Sequence, residues 1–544
     1  MKVLLTTFNS AYIHPNLALR WLYVARDKRH DTLIREYTLK DNLERVKNEI
    51  IAINPDVIGL SVYIWNIEIT KELIHALEDS GHHYRYIIGG PEVSYEYEDW
   101  LEEPIECVLR GEGEITFWQA VNQEPNIDGY VSKDYISPVP ISRVDIEWLE
   151  TLESPYFLEM DDAQRKNRYM YFETSRGCPY RCAYCLSSLD NKVRNFSLEY
   201  VFKQLDQLPS HPCKQVKCLD RTFNSHPKRA LAIAKYINDL DVDYSFEFEV
   251  ALEFFSEELL SFFETAKKDR FRFEVGVQTF NIDTLKAINR NQNEERLTRN
   301  IHRFAASNLV MHTDLIAGLP YEDYASFKDS FYRLFALNSS EIQMGILKLL
   351  KGTKMKREAE MYGIAYSEVP PYEVLETKWV NRTEMDHIKS VAKMIDKTYN
   401  NDRLKETFNT LYLLGYDIFE IMWRAKDQID LLPSVQLYDY FNEVAKVLDD
   451  YQIPSGHAIL LNDYYKLFKE RPKPLFDRPD EEIRKNLFKQ LIEQDYDEHE
   501  LNQYSVLDYG YYNGQIIYQL VIYSKDHRLD RVEYFDTNLN RINK

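Results

Sequence analysis

Residues 173–185 read Glu-Thr-Ser-Arg-Gly-Cys-Pro-Tyr-Arg-Cys-Ala-Tyr-Cys, which places Cys178, Cys182 and Cys185 on one short segment. This C-x3-C-x2-C spacing presents three thiolates and no fourth. Thiolates are the usual ligands of iron–sulfur clusters, so three of them can hold a cubane cluster at three corners. The fourth iron then remains open to a small molecule. The spacing therefore predicts a 4Fe-4S cluster with one open coordination position.

Other interpretations of the cysteines remain open. A structural zinc site usually takes paired C-x2-C knuckles, whereas Cys213 and Cys218 are separated by four residues. Disulfides are disfavoured, because only six cysteines occur and no secretory leader is recognised. We interpret Cys107, Cys213 and Cys218 as small buried apolar residues of predicted strands.

The composition is that of a large globular protein. The 544 residues are 44% hydrophobic, enough for several domains with a sizeable core. No run of about 18 apolar residues occurs, so no membrane span is expected. The short apolar N-terminus is predicted as a first strand rather than a signal peptide, and a cytoplasmic location is expected. A net charge of -21 disfavours extended binding to nucleic acid.

Residues 1 to about 125 alternate short apolar strands with helical segments. This pattern predicts a doubly wound, Rossmann-like parallel sheet. Ligands on such sheets bind beyond the carboxyl ends of the strands. The segments Gly89-Gly90-Pro91 and Gly111-Glu112-Gly113 follow predicted strands, so they are expected to let the backbone approach a ligand closely.

The rest of the chain divides into three further segments. Residues 126 to about 165 are rich in proline and are interpreted as a connector. Six strand–helix units then predict a partial, TIM-like (β/α)6 barrel with the cysteine segment at its carboxyl-end face. From about residue 360 helical patterns dominate, with strand-like stretches at 515–523 and 531–534. The predicted domains are 1–130, 131–165, 166–355 and 356–544.

Several motifs follow the cysteines in a fixed order: Asp220-Arg221-Thr222-Phe223-Asn224, Phe248-Glu249-Val250, Glu274–Thr279, Asn289-Arg290, Asp314–Pro320 and Leu349–Thr353. Together with the cysteines they resemble the radical S-adenosylmethionine (SAM) superfamily over residues 165 to 355. In that family the open iron binds the amino and carboxylate groups of SAM. An electron from the cluster then cleaves SAM to a 5'-deoxyadenosyl radical.

This resemblance implies a set of SAM contacts: Tyr184, Asp220, Arg221, Thr222, Glu249, Gln278, Asp314, Gly318 and Pro320. Alternatives stay open for several of them. Tyr184 could simply pack the cysteine segment, and Asp220 could cap a helix. The polar residues of the barrel strands could form a network of their own, since buried polar groups need partners.

The N-terminal segment resembles the cobalamin-binding domain that precedes the barrel in one radical SAM subclass. The matching pieces lie at 9–18, 58–61, 89–92 and 110–114, and the Asp-x-His-x-x-Gly motif that supplies a cobalt-binding histidine is absent. We interpret His14 as a helix-start or packing residue rather than a cobalt ligand. The resemblance implies cobalamin contacts at Asn9, Tyr12, His14, Ser61, Tyr63, Gly89, Gly90, Pro91, Glu92, Gly111, Glu112 and Gly113.

Together the resemblances imply a cobalamin-dependent radical SAM enzyme. The radical would abstract hydrogen from an unactivated carbon of an unknown small molecule, and methylcobalamin would supply a methyl group. An electron donor such as flavodoxin or ferredoxin is implied as a partner. The alternatives are a cobalamin-linked rearrangement, another radical reaction without methylation, and a non-enzymatic cobalamin- or SAM-binding protein. RNA methylthiolation is disfavoured, since residues 1–150 contain only Cys107 and lack a second cluster domain.

Overall fold

The computed structural model describes residues 1–307, 309–468, 479–526 and 528–542. The chain forms two compact units. The first unit comprises residues 1–340 and 346–382, and the second comprises residues 341–345 and 383–544. No helix of the described residues is long and apolar enough to cross a membrane.

The N-terminal part of the first unit is a six-stranded sheet whose first five strands in spatial order run parallel. In that order the strands are Asp31–Thr38, Lys2–Asn9, Val57–Ser61, Arg85–Gly89, Cys107–Leu109 and the antiparallel Tyr130–Val131. The residues of Val57–Ser61 are all buried, as expected for a central strand covered on both faces. This sheet confirms the predicted doubly wound fold.

Four helices connect these strands, at Leu17–Val24, Leu43–Ile53, Ile67–Asp79 and Thr116–Val121. Asparagine side chains begin the first two: Asn16 accepts from the backbone N–H of Leu19, and Asn42 accepts from that of Arg45. Such caps satisfy backbone donors that the helix itself cannot use. The second helix ends at Asn54, which adopts the left-handed conformation.

A second six-stranded sheet forms the predicted partial barrel. Its strands, in spatial order, are Glu341–Ile346, Val310–Ala317, Phe271–Gln278, Phe246–Val250, Gln215–Cys218 and Tyr169–Phe172. Burial alternates along Phe246–Val250, because the phenylalanines and the valine face one side and Glu247 and Glu249 face the other. The polar positions of neighbouring strands therefore share one face, as Glu249 pairs in register with Glu274.

Helices and short strands complete the first unit. The main helices that connect the barrel strands are Leu198–Leu205, Pro227–Asp239, Glu257–Glu264, Ile282–Ala287, Glu294–Ala306 and Tyr324–Phe335. Shorter helices lie at Ile146–Leu149, Asp162–Arg165 and Lys354–Arg357. Two small antiparallel pairs join Ser175–Arg176 to Arg194–Asn195 and Ala365–Tyr366 to Val374–Glu376.

Buried ion pairs join the N-terminal sheet to the start of the barrel. The carboxylate of Glu36 lies 2.9 Å from the guanidinium of Arg20 and 3.1 Å from that of Arg168. Burial alone would raise the pKa of Glu36, but the two arginines outweigh it and lower the pKa to about 2. Glu36 also accepts from the side chain of Asn9 and the backbone of Asn16, so it organises the loop after the first strand.

The second unit is mainly helical, as predicted, and ends in a sheet. Its helices are Thr383–Lys397 of the longer helix Arg382–Lys397, Lys405–Leu413, Ile418–Asp430, Leu437–Asp450, Gly456–Leu467, Glu481–Ile492 and Glu498–Tyr504. The antiparallel strands are Ser505–Tyr512, Gln515–Tyr523, Leu529–Phe535 and Arg541–Ile542. Sequence reasoning found the middle two strands and missed Ser505–Tyr512, whose tyrosines do not alternate cleanly with polar residues.

The helix Gly456–Leu467 is the centre of the second unit, since its residues 458–465 are all buried. Asp463 on this helix is fully buried and accepts from both the backbone N–H and the hydroxyl of Thr407. Lys466 donates to the other carboxylate oxygen of Asp463. Each polar group of this trio has a partner, so we interpret the trio as structural.

One buried carboxyl group predicts a pH dependence of stability. Glu322 is 1% exposed, accepts from the hydroxyls of Thr279 and Ser330, and has its pKa raised to about 8 by burial. Because the folded pKa exceeds the unfolded value of 4.5, the stability it contributes is complete below pH 4.5 and is lost as pH rises towards 8.

We therefore expect Glu322→Gln to flatten this dependence. Between pH 6 and pH 8 the free energy of unfolding should fall by about 2 kcal/mol more in the wild type than in the variant. Urea titrations at both pH values measure this difference, with the exposed Glu72→Gln as control. Parallel curves for wild type and Glu322→Gln would show that Glu322 does not titrate in this range.

Candidate functional site

A cavity of about 790 Å³ opens beyond the carboxyl ends of the N-terminal sheet. Its other wall comes from the start of the barrel, including Tyr171, Glu173, Arg176 and Arg221. Parallel strands present their carboxyl ends at one edge, which explains why loops distant in sequence meet here. The predicted cobalamin contacts that line this cavity are Asn9, His14, Ser61, Tyr63, Gly89, Gly90, Pro91, Gly111, Glu112 and Gly113.

Glycine is required at two positions of the wall, because the backbone of another segment lies too close there for a side chain. Gly90 has φ +118°, and a Cβ atom there would lie 2.4 Å from the carbonyl oxygen of Val62. Gly111 has φ +98°, and its Cβ would lie 2.4 Å from the carbonyl oxygen of Ser142. Residues with side chains rarely adopt these φ angles, and backbone atoms fill the space that a Cβ atom would need at either position. The glycine loops therefore form a bare backbone wall that a bulky ligand can approach.

The structure places two predicted contacts, Tyr12 and Glu92, away from this wall. The guanidinium of Arg168 lies 4.6 Å from the ring centroid of Tyr12, and its Nε donates to the Tyr12 carbonyl. Glu92 is buried, 3.1 Å from Lys351 Nζ and 2.7 Å from the hydroxyl of Tyr372. Both residues thus join the N-terminal sheet to the barrel segment. Both were predicted as cobalamin contacts because they are an aromatic and a polar residue in loops that match the cobalamin-binding domain. Their tertiary contacts are instead with Arg168, Lys351 and Tyr372.

His14 lies in the cavity wall and contacts the first barrel strand. Its Nδ1 is 2.6 Å from the hydroxyl of Tyr171. Burial, and then the positive charge of Lys217, lower the pKa of His14, so the ring is neutral at physiological pH. This contact gives His14 a packing partner within the first unit.

The cavity wall includes an aromatic pair of which the sequence predicted only one member. The rings of Tyr63 and Trp65 stack with centroids 4.5 Å apart, and both residues line the cavity. Tyr63 was predicted, whereas Trp65 was not. The available signal was its position just after a buried strand, where a large aromatic residue reaches the carboxyl edge of the sheet.

The cysteine segment is held by backbone contacts from several directions. The N–H of Cys178 donates to the Asp190 carbonyl at 3.0 Å, and that of Ala183 donates to the Ile288 carbonyl at 2.8 Å. Gly177 has φ +84°, and a Cβ there would lie 2.4 Å from the Lys192 carbonyl oxygen. Cys178 and Cys182 are buried and Cys185 is half-buried. The segment is therefore fixed in place by the barrel that surrounds it.

The arrangement of the thiols bears on the choice between a cluster and zinc. Within residues 1–307, 309–468, 479–526 and 528–542, no group of three His, Cys, Asp or Glu side chains could hold a single metal ion. A mononuclear zinc site needs its ligands around one point, whereas a cubane cluster takes each cysteine at a separate corner. Three thiols on one segment, two of them buried and one half-buried, fit the three-point attachment of such a cluster.

Asp220 holds the backbone that leads into the cysteines. It is 1% exposed and accepts from the backbone N–H and hydroxyl of Thr174 and from the hydroxyl of Ser175. Thr222, two residues later, places its hydroxyl oxygen 3.7 Å from the sulfur of Cys178. The neighbouring Arg221 reaches the cavity and lies 3.4 Å from Glu249.

The barrel mouth contains buried polar atoms that have no hydrogen bond among the described residues, namely the Oδ1 of Asp314 and the Oε1 of Gln278. The Nε2 of His312 lies 3.9 Å from Asp314 Oδ1, beyond hydrogen-bond distance. A Cβ on Gly276 would lie 2.2 Å from the Gln278 amide nitrogen, so that amide folds back over the strand. Leaving such groups unpaired costs about 1–3 kcal/mol each, which a ligand with complementary polar groups would recover. SAM carries such groups, so these residues fit it.

Charges at the mouth point in the same direction. Burial raises the pKa of Glu249 to about 7, since the opposing charge of Arg221 only partly compensates for it. Burial, with the negative charges of Glu274 and Glu249, also raises the pKa of Asp314 well above its usual range. A ligand that brings positive charge would therefore be stabilised here, and SAM carries a sulfonium and an ammonium group.

The remaining predicted contacts lie around this mouth. Burial raises the pKa of Tyr184, which neighbours Arg290 and Cys182. Gly318 is buried with φ +88°, and the carbonyl of Pro320 accepts from the Thr284 hydroxyl at 2.8 Å. Arg290 belongs to the motif Asn289-Arg290, for which the sequence predicts no role. Its guanidinium lies 3.9 Å from the Cys182 sulfur and also donates to the Gly276 carbonyl, so it connects the cysteines to the mouth.

Family models match three successive parts of the chain. Residues 3–121 match the B12 binding domain, residues 172–332 match the radical SAM superfamily, and residues 360–531 match a protein family of unknown function (DUF4080). The first two matches fall on the two sheets that form the cavity walls. They agree with the resemblances drawn from the motifs.

Curated relatives are similar to more than half of the chain. The chain is 26% identical over 345 residues to the 2-(S-pantetheinyl)-carbapenam-3-carboxylate methyltransferase of Streptantibioticus cattleyicolor, covering 58% of this chain and 50% of that protein. It is 25% identical over 340 residues to the cobalamin-dependent radical SAM methyltransferase TokK of Streptomyces tokunonensis, covering 57% and 50%. The chain thus spans about half the length of these relatives.

Solved structures share the fold. The cobalamin-dependent SAM radical enzyme OxsB, with aqua-cobalamin and SAM bound, matches with a TM-score of 0.59 at 14% identity, over 86% of this chain and 84% of that one. The methyltransferase TsrM from Kitasatospora setae, with tryptophan and a SAM analogue bound, matches with a TM-score of 0.57 at 15% identity, over 69% and 80%.

The motifs, the two parallel sheets and the family matches all lead to one assignment. The chain carries a B12-binding domain, a radical SAM domain and a DUF4080 domain in this order, and the first two domains imply cobalamin, SAM and a 4Fe-4S cluster as cofactors.

Proposed function

We propose that this protein is a cobalamin-dependent radical SAM methyltransferase that acts on an unactivated carbon of a small molecule. The observation that carries the proposal is the shared cavity. Its wall combines the glycine loops of the B12-binding sheet with barrel residues that lead into the cysteine segment, such as Glu173, Arg176 and Gly177. One cavity could thus bring both cofactors to the same substrate.

When bound, the cluster and SAM supply a 5'-deoxyadenosyl radical and cobalamin supplies a methyl group. In this proposal Cys178, Cys182 and Cys185 ligate the cluster, and the protein orients the cofactors. Asp314 and Gln278 hold SAM through their unpaired oxygens, and Glu249 attracts its cationic groups through the carboxylate charge that it gains around pH 7.

The other predicted SAM contacts have more specific supporting roles. Asp220 positions Thr174 and Ser175 ahead of the cysteines, which makes it a positioning residue. Tyr184, Thr222 and Arg221 lie beside the cysteines or the mouth, and Gly318 and Pro320 shape the backbone next to it.

For cobalamin, we propose the wall of the cavity as the binding surface. The backbone at Gly90 and Gly111 provides close approach, while Tyr63 provides an apolar ring surface. Tyr12 and Glu92 act as positioning residues, because their partners Arg168 and Lys351 belong to the barrel segment.

The organisation of the whole chain is part of the proposal. Residues 1–130 bind cobalamin, 131–165 connect, 166–355 form the radical SAM domain, and 356–544 form a domain without an assigned role. A flavodoxin or ferredoxin supplies electrons, and no nucleic acid takes part, which the net charge of -21 supports. The six unpaired cysteines support a reducing, cytoplasmic location.

A combined cofactor and product assay tests the function. Protein reconstituted anaerobically with iron, sulfide and hydroxocobalamin should hold about four irons and four sulfides per chain and retain cobalt. With reductant and methyl-labelled SAM it should form 5'-deoxyadenosine and S-adenosylhomocysteine. Deoxyadenosine without S-adenosylhomocysteine would instead favour a radical reaction without methylation, and zinc without sulfide would overturn the proposal.

The pKa of Glu249 predicts a pH dependence of SAM binding. Because its pKa lies near 7, its carboxylate gains charge as pH rises from 6 to 7.5 and attracts the cationic groups of SAM more strongly. We expect the affinity for SAM to increase by roughly three- to tenfold over this range.

Calorimetric titration of the reconstituted protein measures this affinity. Glu249→Gln should bind SAM more weakly at pH 7.5, and its affinity should lack the increase with pH that Glu249 causes. SAM itself titrates equally with both proteins, so the difference between their pH profiles isolates the contribution of Glu249. Glu264→Gln, on the outer helix Glu257–Glu264, is the control and should follow the wild type. An unchanged pH profile in Glu249→Gln would exclude Glu249 from SAM binding.

A further inference from the structure

Glu114 lines the cavity, and only one of its two carboxylate oxygens has a partner among the described residues. The Glu114 side chain is 7% exposed, and its Oε1 lies 2.8 Å from the guanidinium of Arg176. The other oxygen, Oε2, is buried and has no hydrogen-bond partner among the described residues. A buried acceptor without a donor is costly, so a donor that a cavity ligand brings to this oxygen would be stabilised there.

The chemistry of the cavity restricts what that donor can be. The surrounding wall is the glycine-rich loop 111–113 of the B12-binding sheet, and the corrin ring of cobalamin is edged with primary amides that donate N–H groups. We propose that Glu114 Oε2 accepts a hydrogen bond from a cobalamin amide while Oε1 holds Arg176. This inference rests on the proposed binding of cobalamin in this cavity, and it adds Glu114, which lies in the matching piece 110–114 but not among the contacts that the resemblance implies.

The carboxylate of Glu114 is linked to the cysteine segment through Arg176. The guanidinium of Arg176 also lies 3.2 Å from Glu173, and its side chain is 10% exposed. Arg176 precedes Gly177 and Cys178 in the chain, and Gly177 has no room for a side chain. A ligand that fixes the orientation of Glu114 therefore also fixes the residue that leads into the first cysteine.

A second ion pair ties the far side of the cysteine segment to the same loop. Glu112 lies 2.5 Å from Arg194, and Arg194 lies 3.1 Å from Asp190. The carbonyl of Asp190 accepts from the N–H of Cys178. The loop 111–114 thus holds both flanks of the cysteine segment, through Arg176 before it and Arg194 after it.

This arrangement makes the two cofactor sites energetically coupled. If the cluster orders residues 176–190, then Glu112 and Glu114 are held in the positions that the cavity ligand needs. Linkage requires the converse, so that bound cobalamin also stabilises the cluster. Glu114 is the contact residue for cobalamin and Arg194 is a positioning residue for the cluster segment.

Titration with hydroxocobalamin tests the inference without any turnover. The wild-type protein, with and without reconstituted cluster, is titrated while quenching of tryptophan fluorescence is followed, since Trp21 lies in the cavity wall. We expect Glu114→Gln to weaken binding by roughly tenfold, the value of one hydrogen bond to a charged acceptor. The cluster should tighten cobalamin binding in the wild type, and this enhancement should vanish in Glu114→Gln.

Two further variants keep the result interpretable. Arg194→Gln removes the link through Glu112 and leaves Glu114 and Arg176 intact, so it should keep the affinity of the cluster-free protein and reduce the enhancement without abolishing it. Glu44→Gln removes an exposed carboxylate that pairs with Lys47 on the outer surface of the same domain, and it should match the wild type. Circular dichroism melts confirm that each variant is folded.

The possible failures are distinguishable. If the wild type binds hydroxocobalamin and Glu114→Gln binds equally well, the Glu114 contact is wrong while the proposed function stands. If the wild type gains no affinity from the cluster, the coupling is wrong. If the wild type does not bind hydroxocobalamin at all, both the inference and the cobalamin-dependent function are overturned.

Discussion

Replacement of Cys182 with alanine is expected to abolish cluster assembly and all formation of 5'-deoxyadenosine. A cubane cluster held by three thiolates loses a corner when one is removed, and the segment offers no fourth cysteine to replace it. Cys182 is buried beside Arg290, so a solvent ligand cannot readily take its place. Iron content should fall from about four per chain to background, measured together with sulfide and the cluster absorbance.

Cys213→Ala provides the matched control. Cys213 is also a buried cysteine of the first unit, but it lies outside the segment 178–185, and burial raises its thiol pKa to about 12. A thiol with such a pKa stays protonated and inert, so this variant should retain the cluster and the product. A cluster that survives in Cys182→Ala but is lost in Cys213→Ala would show that the wrong thiols have been assigned.

Replacement of Gly90 with alanine is expected to weaken cobalamin binding by at least tenfold, as measured by hydroxocobalamin titration. The new Cβ would lie 2.4 Å from the Val62 carbonyl oxygen and 3.0 Å from its nitrogen. Both atoms belong to backbone, so the loop itself must move. Because Gly90 lies in the cavity wall, this movement reshapes the surface that the corrin ring approaches.

Gly81→Ala separates backbone strain from the local clash. Gly81 also has a positive φ, +79°, but no atom lies within 4 Å of a Cβ built there. Both variants should lose roughly 1 kcal/mol of stability from strain, and only Gly90→Ala should lose cobalamin affinity. Equal affinities in the two variants would place cobalamin away from the loop 89–91.

Local patterns were sufficient for the fold class and for the cluster segment. Alternating apolar strands and helices determine a parallel sheet, because the period of burial is set by backbone geometry alone. The spacing of Cys178, Cys182 and Cys185 likewise acts within one segment. The glycines at 90 and 111 were recognisable because they follow strands whose ends could be predicted.

Residues whose roles depend on distant partners were harder to predict. Glu92 has the same motif context as Gly90, yet its carboxylate contacts Lys351 and Tyr372, which lie more than 250 positions away. Asp220 was placed at SAM by its motif, and its hydrogen bonds go to Thr174 and Ser175. A motif specifies the residue type at a strand end, while the side-chain partner depends on which strands become neighbours.

By itself the sequence determined that this chain has two successive parallel α/β domains, a three-cysteine segment and glycine loops at strand ends, since these features depend on spacing along one stretch of chain. Only the tertiary structure decided which loops share a cavity. It also showed that Glu114 turns one oxygen to Arg176 and leaves the other unpaired. Such pairings follow from contact in space between segments more than 60 residues apart, and no local periodicity encodes them.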